Sequence, residues 1–263
     1  MNLGKQTRLN RLFAHPSGRL CSVAIDHFIG YQNGMPENLR DLPAIIKTLV
    51  AAGPDAVTMH KGVAVSCWAP YAGRIPLITQ SIIGRPDDAA SANEFMSTPA
   101  DAIGAGADAF ATCAFLRGPS ENAHLRRVAD FVREAEKLGI PVVLHVYPRV
   151  FHGDGQVEIS YTPEHIAWAV RCGIEVGADV IKVPFCGDVA AYAQIVRSCP
   201  VPVVAAGGPK TGTLDEALQL ARDVVASGAK GMTIGRNVWG APDPAQALRE
   251  FKRIVHGEKG LTA

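Results

Sequence analysis

Lys182 stands inside the stretch 177–185, GADVIKVPF, among Val180, Ile181, Val183 and Phe185. Those neighbours read as a buried strand. A buried ammonium is costly unless it is paired, deprotonated or chemically employed. Apolar surroundings pull a lysine pKa toward neutrality and leave a free amine able to attack a carbonyl. The resulting iminium withdraws electrons from the adjoining carbon, so carbon–carbon bonds become breakable without a metal. The plainer alternative is a lysine that reaches solvent or forms an ion pair with Asp26 or Asp179.

Two glycine-bearing stretches, AAGGPKTG (205–212) and TIGRNVWG (233–240), follow later. Glycine lets the backbone approach an anion closely, and a helix start with a nearby cation completes a phosphate site. The candidates are Gly207, Gly208, Lys210, Gly235 and Arg236; the alternative is ordinary turns with exposed basic residues. In HVYPR (145–149), Tyr147 is a phenol able to move a proton, with Pro148 fixing the backbone beside it, or else an amphipathic packing residue. Asp26 either accepts a hydrogen bond from a substrate hydroxyl or carbinolamine, or balances Lys182 or Arg149. For His60 and His145, structural and functional roles stand equally open.

These residues need elements to hold them. Short apolar, β-branched runs occur at 20–26, 55–60, 75–80, 108–113, 141–147, 179–185, 202–208 and 231–237. Amphipathic segments alternate with them, including 121–139 (with Leu125, Val128, Val132 and Leu138 near helical spacing), 162–177 and 214–228. Thr162 before Pro163 and Glu164 starts a helix; Gly139 and Gly177 stop one. AGPDAVTM (52–59), AGADAFAT (105–112), VGADVIKV (176–183) and SGAKGMTI (227–234) repeat one junction: a helix-end glycine, a small residue, then a strand. Eight strands with helical connections predict a single (β/α)8 barrel, an α/β fold spanning 1–263. An open doubly wound sheet would want a glycine fingerprint after the first strand, and AIDHFIG lacks it. In a barrel the C-terminal strand ends carry chemistry, and here they bring Asp26 with His27, His60 with Lys61, Gln80, Cys113, His145, Tyr147 and Lys182 together.

Composition narrows the function classes. The 263 residues are 48% hydrophobic and 19% charged with net charge +1, which affords a large core and gives no electrostatic reason for a nucleic-acid or anionic-membrane partner. No apolar run is long enough to span a membrane, and the N-terminus lacks a secretory pattern, so cytoplasmic residence is expected. Six scattered cysteines without a C-x-x-C pair predict reduced thiols rather than a disulfide framework or zinc site; no metal and no cofactor are expected.

AIDHF, DAVTMHKG, HVYPR, GADVIKVPF, AAGGPK and TIGRN, in that order from about residue 20 to 240, resemble the archaeal-type (DhnA-like) class I fructose-bisphosphate aldolase family, which belongs with deoxyribose-phosphate aldolase. The resemblance implies that Lys182 is the Schiff-base lysine and Tyr147 the proton-transferring tyrosine. It implies that Asp26 assists carbinolamine formation, and that Gly208, Lys210, Gly235 and Arg236 bind phosphate. His60 falls on the histidine of the family's H-K-G segment. One departure stands out: members that cleave fructose 1,6-bisphosphate have W-x-Y-P-R, so His145 replaces a tryptophan on the same strand face as Tyr147.

The expected activity is a metal-independent class I aldolase cleaving a phosphorylated ketose to a triose phosphate, such as dihydroxyacetone phosphate, and an aldehyde. The alternatives are transfer to another acceptor, as in aminodeoxyheptulosonate synthesis or autoinducer-2 phosphate thiolysis, and a sugar-phosphate-binding barrel without turnover. The resemblance also implies a homo-oligomer, with two stacked rings of five among relatives; the segments 1–19 and 251–263 are candidates for its contacts.

Overall fold

The computed structural model describes residues 2–27, 34–85 and 94–258. Phe28 of AIDHF and residues 259–263 lie outside them. Eight parallel strands close into a barrel: β1 (Leu20–Ala24), β2 (Ala56–His60), β3 (Leu77–Gln80), β4 (Ala109–Leu116), β5 (Val142–Phe151), β7 (Val180–Pro184), β8 (Val203–Ala206) and β9 (Gly231–Ile234). Each pairs with the next in parallel, and β9 returns to β1 through Cys21 opposite Met232. The expected (β/α)8 architecture is what the chain forms.

The connecting helices include α5 (Glu121–Leu138), α6 (Pro163–Glu175) and α8 (Leu214–Ala226). Thr162 caps α6 by accepting from the His165 N–H, and Thr213 forms a capping box with Glu216 on α8. On α5 the buried face is His124, Val128, Phe131 and Ala135, whereas Leu138, expected on that face, is exposed.

The repeated junction has a physical cause. Gly53, Gly106, Gly177 and Gly228 all hold φ between 71° and 84°, a left-handed conformation costly for any residue with a side chain. Where an aspartate follows, it ties down a neighbouring strand. Asp55 accepts from the Cys21 N–H at 2.6 Å, Asp108 from Leu77 at 3.1 Å and Asp179 from Val142 at 2.8 Å.

Alternation along the strands sorts their residues. Outward side chains pack against the helices in one continuous core. Inward ones, among them Leu20, Ala56, Ile78, Val143, Val180 and Val204, form an apolar floor sealed by Leu9 and Leu12 of α1 (Leu3–Leu12). Lys5 of the same helix is buried against Asp179 at 3.1 Å and against Glu136. Phe251, on the C-terminal helix, is 1% exposed. Leu9, Leu12, Phe251 and Val255 are thus buried within the chain, and Leu3 is exposed.

Two strands depart from expectation at the mouth. The run at 141–147 continues to Phe151 and pairs in antiparallel register with β6 (Val157–Ile159), Arg149 opposite Ile159. The run at 231–237 ends at Ile234, and Arg236–Trp239 turns into the short helix α9.

Candidate active site

Period-two alternation carries the inward rows above the apolar floor: position 80 on β3, 113 and 115 on β4, 145 and 147 on β5, 182 on β7. Lys182 lies opposite His145 in the β5–β7 ladder. It is 5% exposed, and Nζ has no hydrogen bond or ion pair among the described residues. Burial lowers its pKa; the negative charge of Asp26 opposes that. Asp179 is excluded as its partner, because it sits at the barrel floor bound to Lys5.

Lys182 borders two cavities. Asp26, His27, His60, Gln80, Cys113, Phe115, His145 and Tyr147 line the first. The second is bounded by His27, Tyr147, Tyr161, Gly207, Gly208, Thr233, Gly235 and Arg236. Tyr147 and Lys182 face both, so a molecule bound covalently to the amine would reach either side past the phenol.

Asp26, just beyond β1, feels burial pushing its pKa up, but His27, then Lys182, His60 and His145, hold it down to about 2. Near pH 7 its resting form is the carboxylate. His27 Nδ1 lies 3.3 Å from Asp26 Oδ1, yet burial drops its pKa to about 4 against the pull of Asp26, so the ring is neutral near pH 7. His145 is likewise driven well below its ordinary value by burial, and next by Lys182.

His60 lines the cavity but is occupied in joining strand ends: Nδ1 is 3.1 Å from the Gln80 carbonyl and Nε2 3.2 Å from that of Asp26. Arg149 is buried, donating to the Arg117 carbonyl at 3.1 Å and to Ser120 Oγ at 2.9 Å. It stacks over Phe115 and Phe151 and braces the β5 extension.

The glycine loops divide. A side chain at Gly235 would run into the His27 ring at 2.2 Å, and one at Gly207 would meet Ile234 Cα at 2.9 Å. Those two glycines have packing reasons for their identity. Gly208 adopts φ 72°, and its carbonyl accepts from Arg236 Nη2 at 2.9 Å. Asn237 locks the same loop, donating to the carbonyls of Gly207 and Pro209 at 3.1 and 2.9 Å. Arg236 therefore supplies the cation of the second cavity. Lys210 is exposed and does not line it.

Sequence reasoning placed His27 and Gln80 at strand ends without assigning them a role, and it missed Tyr161. The histidine's proximity to the aspartate was legible in the D-H pair; Tyr161 enters only through the β5–β6 hairpin.

This barrel, with a buried amine at its mouth, is that of a class I aldolase, a carbon–carbon lyase. The chain belongs to the DeoC/LacD family of aldolases, whose model matches residues 20–241. It is 33% identical over 257 residues to 2-amino-3,7-dideoxy-D-threo-hept-6-ulosonate synthase of Halobacterium salinarum, covering 97% of this chain and 92% of that one. It is 28% identical over 255 residues to 2-amino-4,5-dihydroxy-6-oxo-7-(phosphonooxy)heptanoate synthase of Streptomyces griseus, covering 96% and 90%. Among solved structures, an archaeal fructose-1,6-bisphosphate aldolase with its catalytic lysine bound to the carbinolamine intermediate matches with TM-score 0.83 and 27% identity, over 96% of this chain and 100% of that one. No helix among the described residues is long and apolar enough to cross a membrane.

Proposed function

We propose that the enzyme cleaves a phosphorylated ketose through a Schiff base on Lys182. The observation that carries this reading is the position of Lys182, unpaired among the described residues and shared between a polar reaction cavity and a second cavity that holds Arg236. Free amine attacks the C2 carbonyl, and Asp26 carries protons during loss of water from the carbinolamine. Tyr147, acting as its phenolate, takes the proton of the C4 hydroxyl as the C3–C4 bond breaks, which releases an aldehyde and leaves an enamine on Lys182. Protonation and hydrolysis free a triose phosphate such as dihydroxyacetone phosphate. Arg236 and the Gly208 loop receive the phosphate; His60 and Lys210 act less directly, as wall and rim.

A second reading, passage of the enamine fragment to another acceptor, is favoured by the synthase names of the two relatives and by the polar His145 beside the amine. The test is a panel of phosphorylated ketoses assayed for triose phosphate with and without added aldehyde or keto acceptors. Release without acceptor supports cleavage; turnover that requires an acceptor supports transfer; no turnover with any member overturns both.

The reading extends to a cytoplasmic homo-oligomer active in carbohydrate metabolism. Leu3, Val65 and Trp168 supply exposed apolar surface for contacts between copies. Light scattering of the purified chain tests the assembly.

A further inference from the structure

Gln80 closes the buried side of the reaction cavity and is 2% exposed. Its amide orientation is fixed by the main chain. Oε1 accepts from the N–H groups of Ser81 at 2.9 Å and Ile82 at 3.2 Å, so the other end must be the NH2. That NH2 lies 3.2 Å from His145 Nδ1. An amide nitrogen only donates, hence Nδ1 must be the acceptor, and a neutral imidazole then carries its proton on Nε2. Among the described residues Nε2 has no protein partner, and the ring lines the cavity beside Lys182.

We propose that Gln80 is a positioning residue that fixes His145 as an Nε2–H donor, and that this donor, rather than a base, meets the oxygen on the carbon that is cleaved from the Lys182 adduct. The inference rests on the aldol reading above and deepens it. In the cleavage direction the C4 hydroxyl gives its proton to Tyr147 acting as its phenolate, which becomes the phenol, while the electron pair of the C3–C4 bond moves into the enamine. The C4 oxygen, becoming a carbonyl, accepts the hydrogen bond from Nε2. In the reverse direction the same donor polarises the incoming aldehyde. His145 cannot take the hydroxyl proton in this tautomer, because its one free lone pair faces Gln80. The electrophile suited to the site therefore carries a carbonyl oxygen within reach of this N–H.

The tautomer is read directly in substrate-free enzyme by long-range proton–nitrogen spectra of 15N-histidine-labelled protein, with His145 assigned from the peaks lost in His145→Gln. The wild type is expected to show the proton on Nε2. In Gln80→Glu an oxygen replaces the NH2, so the proton is expected to move to Nδ1. Turnover should then fall by about 10²-fold, with KM for the ketose and borohydride trapping on Lys182 retained. A wild-type proton on Nδ1 would overturn the proposal, as would a Gln80→Glu ring that keeps its proton on Nε2 or a shifted tautomer with unchanged turnover. If Gln80→Glu fails to fold, the wild-type spectrum decides alone. Because that spectrum needs no substrate, an absence of ketose turnover sinks the aldol reading and leaves the tautomer readable.

Discussion

Lys182 and His145 lie opposite each other on neighbouring parallel strands, and burial disfavours the charged form of both. Two adjacent bases in one buried chamber cannot both be cationic cheaply. The anion Asp26 at the rim keeps Lys182 from losing its proton altogether, while His145 stays neutral. One cavity at the barrel mouth thus brings together an amine, a carboxylate and an imidazole.

Replacing Lys182 with Met should abolish turnover while leaving the fold intact. Removing a buried amine without a fixed partner costs little packing, so the urea midpoint should be unchanged or higher than that of the wild type. Circular dichroism and urea titration check it; a collapsed fold would mean that Lys182 is a structural member of the core.

Asp26→Asn removes the anion that favours the ammonium form of Lys182. The lysine pKa should fall further, shifting the acid limb of the reductive-trapping rate to lower pH. Turnover should nonetheless drop, because Asn cannot carry protons. The pH profile of trapping, compared with that of turnover, separates the two effects.

His27 gives the protein a pH-dependent stability of defined sign. Its unfolded value is near 6.5 and its folded value about 4. Below pH 6.5 the unfolded chain binds a proton that the folded ring refuses until about pH 4, so stability declines as pH falls through that window. The loss is on the order of 3 kcal/mol. Urea unfolding between pH 7 and 4 measures it together with the loss of the same sign from His145, and His27→Asn should reduce the slope.

Tyr147→Phe should leave adduct formation on Lys182 intact and slow bond cleavage by about 10²- to 10⁴-fold. Trapping yield and turnover, measured on one preparation, distinguish this from a general loss of the site.

Arg236→Leu should raise KM for phosphorylated ketoses by about 10- to 100-fold, as expected for losing a charge-assisted contact. Unphosphorylated analogues should be affected far less. Lys210→Ala should change KM little, since Lys210 is exposed outside the cavity.

The barrel was legible because its junction is repeated: four glycines at the helix ends, three of them followed by strand-tying aspartates, mark period and direction together. Lys182 was legible because its charge contradicts its neighbours. Gly207 and Gly235 were attributed to an anion, whereas contact with Ile234 and His27 already demands them; from sequence, close backbone approach to a ligand and to a side chain look alike. Gln80 stayed silent for a related reason. Its importance lies in which way an amide faces, and that is decided by two N–H groups of the residues after it and a histidine on a different strand.

The central claim is that Lys182 is the nucleophile. Incubating the enzyme with a turned-over phosphorylated ketose, reducing with borohydride and mapping peptides by mass spectrometry tests it most directly. The account predicts a reduced sugar-phosphate adduct on the peptide containing Lys182 and none in Lys182→Met. An unmodified Lys182 in enzyme that is turning over substrate, or an adduct on another lysine, would contradict it.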